Sequence, residues 1–209
     1  MTRKSRAEKI TEALAREYPD SLCTLDAVKP YELLVSVRLA AQCTDARVNI
    51  VTKELFAVYP TLESFAGADA GDVEKIVRPC GFFRTKARDI IAMAKMLCED
   101  FGGVVPDNME ELLKLPGVGR KTANLILGDV YGKPAVVCDT HCIRITNLLG
   151  LSTSKNPDIV ERELREVLDP AQSNNFCHRM VLHGRAVCTA RNPRCGDCCI
   201  RRLCAAAQD

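Results

Sequence analysis

Apolar positions recur along this chain with a period near 3.6 residues almost from end to end, which predicts helices and little else. Ala7, Ile10 and Leu14 share one face of a segment over 5–16. Apolar helices are expected over 31–41, with Pro30 near the first turn, and over 44–58, with Asp45 early in it. Over 84–101, Ala87, Ile90, Ile91, Ala94, Leu97 and Phe101 form one stripe. Asp107 and Glu110 make a capping-box pattern before a short helix over 109–115. Helices over 120–131 and 140–149 follow, the second with Asp139 where an N-cap belongs. Asn156-Pro157 reads as the N-cap and first residue of a helix ending near Leu168, and 174–186 is the last helix before a cysteine-rich tail. Strand signals are confined to 104–105 and 135–137, which are short and alternate poorly. No internal repeat or flexible linker interrupts the pattern. The expected fold class is all-α.

At 209 residues the chain suits one large domain or two small ones, with a core that needs no disulfide staples. Hydrophobic residues at 47% and charged residues at 27% exclude a disordered tail. The longest apolar runs, such as 135–138, fall far short of the roughly 18 residues of a membrane span. A net charge of +2 says little, but its distribution is uneven: 171–209 carries six Arg against two acids, whereas 23–132 carries thirteen basic against fifteen acidic residues. A basic end suits an anionic partner as well as a solvated charged face. The 12 cysteines stay below the roughly 8–10% of disulfide scaffolds. The first twenty residues lack an apolar signal region, and Glu8, Glu12, Glu17 and Asp20 argue against an acid-poor transit peptide. The cysteines are therefore read as reduced intracellular thiols, some of them metal ligands.

Three motifs carry chemistry. The tail has the spacing Cys188-x6-Cys195-x2-Cys198-x5-Cys204. Zinc sites usually pair two short cysteine hooks, and this tail has one, so unequal spacing without histidine favours a [4Fe–4S] cluster. Spacing alone leaves Cys199 open as a substitute ligand. The second motif is Leu115-Pro-Gly-Val-Gly-Arg-Lys-Thr122 between two helices. Gly117 and Gly119 leave the amides of the next helix uncovered, an anion site suited to a DNA phosphate, although an ordinary helix–helix turn reads the same way. Lys121 lies in the first turn of that helix, where the macrodipole disfavours an ammonium and a neutral amine would be a nucleophile, although a solvated helix lysine fits the position as well. The third is Val136-Val-Cys-Asp139-Thr-His141: Asp139 is an N-cap in the bland reading, and a proton acceptor or cation stabiliser in the chemical one. His141, His178 and His183 show no metal spacing and read as structural or phosphate-contacting.

Hairpin, lysine, aspartate and cysteine tail together resemble the endonuclease III family of DNA glycosylases, in the helix–hairpin–helix superfamily. The likeness runs nearly end to end, through Ala41-Gln-Cys-Thr-Asp45, Gly81-Phe-Phe-Arg-Thr-Lys-Ala87, the ten-residue hairpin block from Leu115 to Asn124, Asp139-Thr-His141, Leu182-His-Gly-Arg185 and the cysteines. It implies a six-helix barrel domain over 23–132 and an iron–sulfur cluster domain of 1–22 plus 133–209, with damaged double-stranded DNA between them and the target base flipped out. By matching position it makes Lys121 the nucleophile on C1′ and Asp139 its activating carboxylate. Cys188, Cys195, Cys198 and Cys204 become the cluster ligands, against Cys199. Gln42 and Phe82 match the residues that fill the gap left by the flipped base, and Gly117, Gly119, Arg120, His141, Arg185, Arg191 and Arg194 are expected on DNA. The family commonly has Leu at the place of Phe82, so the contact to the orphan base is in question. Cys138, Cys142 and Cys199 are unusual additions, expected as buried thiols.

The activity so implied is bifunctional: excision of oxidised pyrimidines of the thymine glycol type, then strand cleavage 3′ to the abasic site by β-elimination. The expected protein is a monomer without membrane attachment, in the cytoplasm of a prokaryote at its nucleoid. The alternatives are a monofunctional mismatch glycosylase for adenine or for thymine and uracil, and a non-catalytic, cluster-bearing DNA-binding protein. Mismatch relatives typically replace the lysine, and the adenine type adds a C-terminal domain, whereas this chain ends five residues after Cys204.

Overall fold

The computed structural model describes residues 1–207. Eleven α-helices and no strand occur among them, which is the all-α class that the periodicity predicts. The helices are α1 (Arg3–Glu17), α2 (Pro30–Ala40), α3 (Asp45–Val58), α4 (Leu62–Ala66), α5 (Ala70–Val77), α6 (Phe83–Asp100), α7 (Met109–Leu112), α8 (Arg120–Asp129), α9 (Thr140–Leu148), α10 (Pro157–Val167) and α11 (Ser173–Ala186). Short 3-10 turns, including Arg78–Cys80, Cys195–Asp197 and Arg201–Leu203, complete the helical content. The chain divides into two compact units, Cys23–Tyr131 and Met1–Leu22 with Gly132–Asp209. No described helix is long and apolar enough to cross a membrane.

Side-chain caps start most of the helices. Thr2, Thr44, Thr61, Asp69, Asn108, Asp139 and Asn156 each accept a hydrogen bond from a first-turn amide. Helix α7 is capped one residue later than the sequence pattern suggests. Asn108, not Asp107, accepts from the Glu111 amide at 3.0 Å and returns a bond from its own amide to the Glu111 carboxylate. Helices α6 and α8 start without a side-chain cap, on Phe82 and Gly119 respectively.

In the unit Cys23–Tyr131, Phe65 of α4 is fully buried, and Tyr31, Phe56 and Tyr59 surround it at ring-centre distances of 6.3, 6.2 and 5.2 Å. Leu34, Leu39, Leu55, Ile90, Leu97 and Ile126 continue this core. In the other unit Ala7, Ile10 and Leu14 are the buried face of α1, which packs on α10 and α11, where Val160, Leu164, Phe176 and Met180 are buried. Aromatic anchors of this kind dominate core energetics. Phe65→Ala is expected to cost about 3–5 kcal/mol, read as a lowered denaturation midpoint, while Leu22→Ala at a residue 79% exposed changes the midpoint little.

Candidate active site and cysteine-lined cavity

The turn between α7 and α8 is held from beneath by an ion pair. Arg38 of α2 donates from Nε and Nη2 to Asp89 Oδ2 of α6, at 3.0 and 2.7 Å. Gly117 lies directly on that pair with φ +75°: a Cβ there would sit 2.8 Å from Arg38 Nε and 3.1 Å from the Asp89 Cβ. Gly119 differs, with φ −103° and nothing within 4 Å of a Cβ. Leu115 is buried at the base of the turn, and Arg120 and Lys121 are exposed in the first turn of α8. One glycine is thus demanded by what lies below it, whereas the other keeps the uncapped end of α8 open above.

In the same unit Gln42 and Phe82 are the two non-glycine residues with positive φ among those described, at +56° and +47°. Both side chains are exposed, Phe82 by 65%. The next ring, Phe83, is held instead, with the Arg78 and Arg84 guanidinium carbons 5.8 and 5.6 Å from its centre.

Asp139 lies in the other unit, at the N-cap of α9, where Oδ1 accepts from the Cys142 amide at 2.7 Å. His141 is half-buried, its Nδ1 3.4 Å from Arg144 Nη2, and a Cβ at Gly184 would overlap its ring. Gly184 thus lets α11 approach α9 closely, and Arg185 beside it is exposed. Cys138 and Cys142 are buried thiols, as expected. Cys177 of α11 joins them, and hydrogen bonding to Cys138 and Cys177 together with burial pushes the Cys142 thiol well above its ordinary range.

A cavity of about 210 Å³ opens at the tail, and Cys188, Cys195, Cys198 and Cys204 all line it, with Leu148, Val187, Pro193 and Arg194 among its other walls. Arg144 Nη1 donates to Cys188 Sγ at 3.6 Å, and His183 Nε2 lies 3.4 Å from Cys198 Sγ. His183 is buried, also contacts the Tyr18 hydroxyl at 3.1 Å, and is pulled below its ordinary pKa by burial and by nearby Arg144. It reads as structural, and neither it nor Arg144 was singled out for this place by sequence, since their approach to the cysteines is tertiary. Arg194 donates to the Ala186 carbonyl and Arg191 is exposed. Cys199 corrects an expectation: it is exposed, not buried, and lines a separate cavity of about 680 Å³ with Lys9, Arg16, Arg201 and Arg202. Cys198 lines both cavities, whereas Cys199 reaches only the second. Among the described residues no three His, Cys, Asp or Glu side chains gather closely enough for a single metal ion.

The profile of the "HhH-GPD superfamily base excision DNA repair protein" family matches residues 35–170. Endonuclease III of Synechocystis is 44% identical over 208 residues, covering 99% of this chain and 95% of the relative. Endonuclease III of Escherichia coli K12 is 38% identical over 205 residues, covering 98% and 96%. The chain belongs to the endonuclease III family. That membership makes it a base-excision-repair enzyme, a DNA glycosylase with AP lyase activity. Among solved structures, a trapped endonuclease III–DNA covalent intermediate superposes with a TM-score of 0.93 at 37% identity, covering 100% of this chain and 98% of that one. A thermostable thymine-DNA glycosylase, at 19% identity and a TM-score of 0.89, shares the fold.

The two hairpin glycines of this endonuclease III relative are expected to respond differently to a methyl group. Gly117→Ala meets both a left-handed backbone and the Arg38–Asp89 pair, and should cost about 2 kcal/mol of stability. Gly119→Ala should cost only about 0.5 kcal/mol, the difference between glycine and alanine at an N-cap. Thermal melts of the two variants side by side measure this order.

Proposed function

We propose that this chain removes oxidised pyrimidines, thymine glycol among them, from duplex DNA and then cuts the strand 3′ to the abasic site, with Lys121 as nucleophile and Asp139 as its carboxylate partner. The observation that carries the reading is Lys121 exposed in the first turn of an uncapped helix, on a hairpin braced from below. Phosphate on the open α8 amides and on Arg120 would set the register of the strand. Gln42 and Phe82 would occupy the space left by the flipped base, with an aromatic wedge in place of the family's usual leucine. His141, Arg185, Arg191 and Arg194 would add contacts to the DNA backbone. The bacterial relatives suit a place in the bacterial cytoplasm, and the trapped endonuclease III–DNA covalent intermediate suits a route through a covalent adduct; we take the enzyme to act as a monomer.

In the first step the neutral Lys121 amine forms a C1′–N bond as the glycosidic bond breaks and the base departs. The proton lost from the amine is taken by Asp139, whose Oδ1 is fixed by the α9 amide while Oδ2 is left for proton transfer. The nitrogen lone pair then opens the C1′–O4′ bond, O4′ taking up the proton held by Asp139, and the iminium so formed acidifies the C2′ hydrogen; loss of that proton to water expels the 3′ phosphate oxygen and cleaves the strand.

The cysteine cavity fits a [4Fe–4S] group by its donor set: four thiols around one void, none of them Cys199, and no closer gathering of the kind a single ion needs. Cys188, Cys195, Cys198 and Cys204 would hold it, with Arg144 and His183 directed at two of their sulfurs. When bound, the group supplies four iron–thiolate bonds that pin the loop carrying Arg191, Arg194, Arg201 and Arg202.

Borohydride trapping on a duplex with one thymine glycol tests the chemistry. Wild type should form a covalent adduct, and Lys121→Gln none while still binding the duplex. Asp139→Asn preserves a good N-cap yet removes the base, so it should melt near wild type but trap about 10²–10⁴-fold more slowly. A wild-type adduct on an abasic duplex alone would retain the lyase and overturn the substrate; no adduct on either would favour a monofunctional or non-catalytic protein. Iron and acid-labile sulfide analysis tests the ligand set. Ser in place of Cys188, Cys195, Cys198 or Cys204 should deplete iron, and Cys199→Ser should leave four irons per chain; stoichiometric zinc in the wild type would overturn the cluster.

A further inference from the structure

Lys86 is 1% exposed at the start of an otherwise apolar buried face of α6, where a lysine has no reason to be unless its charge is used. All three protons of its ammonium have a partner, and every partner is a main-chain oxygen. Nζ donates to the carbonyls of Leu39, Ala41 and Cys80, each at 2.8 Å. Leu39 and Ala41 lie at the C-terminal end of α2, whose last carbonyls have no partner within the helix, and Cys80 ends the 3-10 turn before α6. Burial lowers the pKa of this ammonium, so the three carbonyl dipoles are what make its place tenable.

Two of the three carbonyls lie just ahead of a residue with a left-handed backbone. Ala41 immediately precedes Gln42, and Cys80 precedes Gly81 and Phe82. Gln42 and Phe82 have left-handed backbones, each disfavoured by about 1–2 kcal/mol for a residue with a Cβ. Such conformations persist only where the surroundings impose them. The side chains do not impose them, because both are exposed. The main chain does: the Lys86 ammonium holds Ala41, directly before Gln42, and Cys80, two residues before Phe82, and the Lys86 amide donates to the Phe82 carbonyl at 3.0 Å. One side chain on α6 therefore sets the exit of α2 and the entry of α6 together.

We propose that Lys86 is the positioning residue for the two side chains that enter the DNA duplex, holding Gln42 and Phe82 in a fixed relation before DNA arrives. This rests on the reading above, in which Gln42 and Phe82 fill the gap left by the flipped base. Lys86 touches neither DNA nor the reacting atoms; it acts through the backbone of the two loops. Its contribution is to base extrusion, not to the imine chemistry at Lys121, which operates on a sugar already free of its base.

Lys86→Met keeps the length and the apolar contacts of the stem and removes the ammonium. Three readouts are taken on the intact enzyme. Single-turnover excision of thymine glycol should fall about tenfold to a hundredfold, the scale of a misplacement near 1 Å. Borohydride trapping at a preformed abasic site should stay within about threefold of wild type by the same measure. The fluorescence change of 2-aminopurine opposite a reduced abasic site, which reports insertion into the gap without any excision, should be largely lost. In a double-mutant cycle, Lys86→Met and Phe82→Ala should be strongly non-additive, since both remove the same insertion; independent structural damage would add. Equal losses in excision and trapping, unchanged 2-aminopurine response, or an additive cycle would each overturn the role. Should Lys86→Met fail to fold, Lys86→Arg, which keeps the charge without the three-pronged fit, is read by the same ratios. A wild type that inserts into the gap but does not excise thymine glycol would overturn the substrate assignment and leave the 2-aminopurine test of Lys86 intact.

Discussion

An α-helix leaves four amides unsatisfied at its start and four carbonyls at its end, and in a fold without strands those groups have few other places to go. This constraint organises the molecule. Most first turns are closed by a Thr, Asn or Asp side chain. The end of α2 is closed by Lys86, a side chain from a different helix. The start of α8 is closed by no side chain at all, because Gly119 has none to offer. Structural economy would cap that end too. Leaving it open, on a turn braced by Arg38 and Asp89, costs stability and keeps bare amides beside Lys121, as the proposed phosphate contact requires.

Much of the fold was legible because long amphipathic helices write their buried face every three or four residues. Of the stripe predicted for α6, Ala87, Ile90, Ile91, Ala94 and Leu97 are buried, whereas Phe101 is the C-cap and only half-buried. Short helices write too little. The stretch that became α4 and α5 contains five and eight helical residues, about one and two turns, and their caps, Thr61 and Asp69, are ordinary loop residues to a sequence reader. The cap of α7 moved from Asp107 to Asn108 for a related reason: two adjacent residues are each competent caps, and only the path of the chain chooses between them.

The site divides the same way. The hairpin glycines, Lys121, Asp139 and the cysteine tail have local signatures, because each is a type of residue placed at a fixed offset from a turn or helix end. Lys86, Arg144 and His183 have none. Their significance lies in which main-chain oxygen or sulfur they reach across the fold, and a periodic pattern records only that position 86 faces the core, where a lysine looks like an error. Cys199 shows the converse. Its burial was inferred from residue type, but in a tail of short 3-10 turns Cys198 reaches the cavity shared with Cys188, Cys195 and Cys204 while its exposed neighbour does not.

The two readings of Asp139 are therefore not rivals. A carboxylate that is to accept a proton must be held in one orientation without losing its basicity. A helix N-cap does the first by fixing one oxygen on a backbone amide, here at 2.7 Å, and leaves the second oxygen's lone pairs unused. The thiols beneath it serve the same end: Cys138, Cys142 and Cys177 fill the space under the first turn of α9 as small, neutral, apolar groups. A carboxylate there, or any other charged side chain, would compete for Asp139's proton or its field. In the proposed mechanism the cap that closes α9 would also be what orients Asp139, above a buried trio of cysteines that the proposed chemistry does not touch.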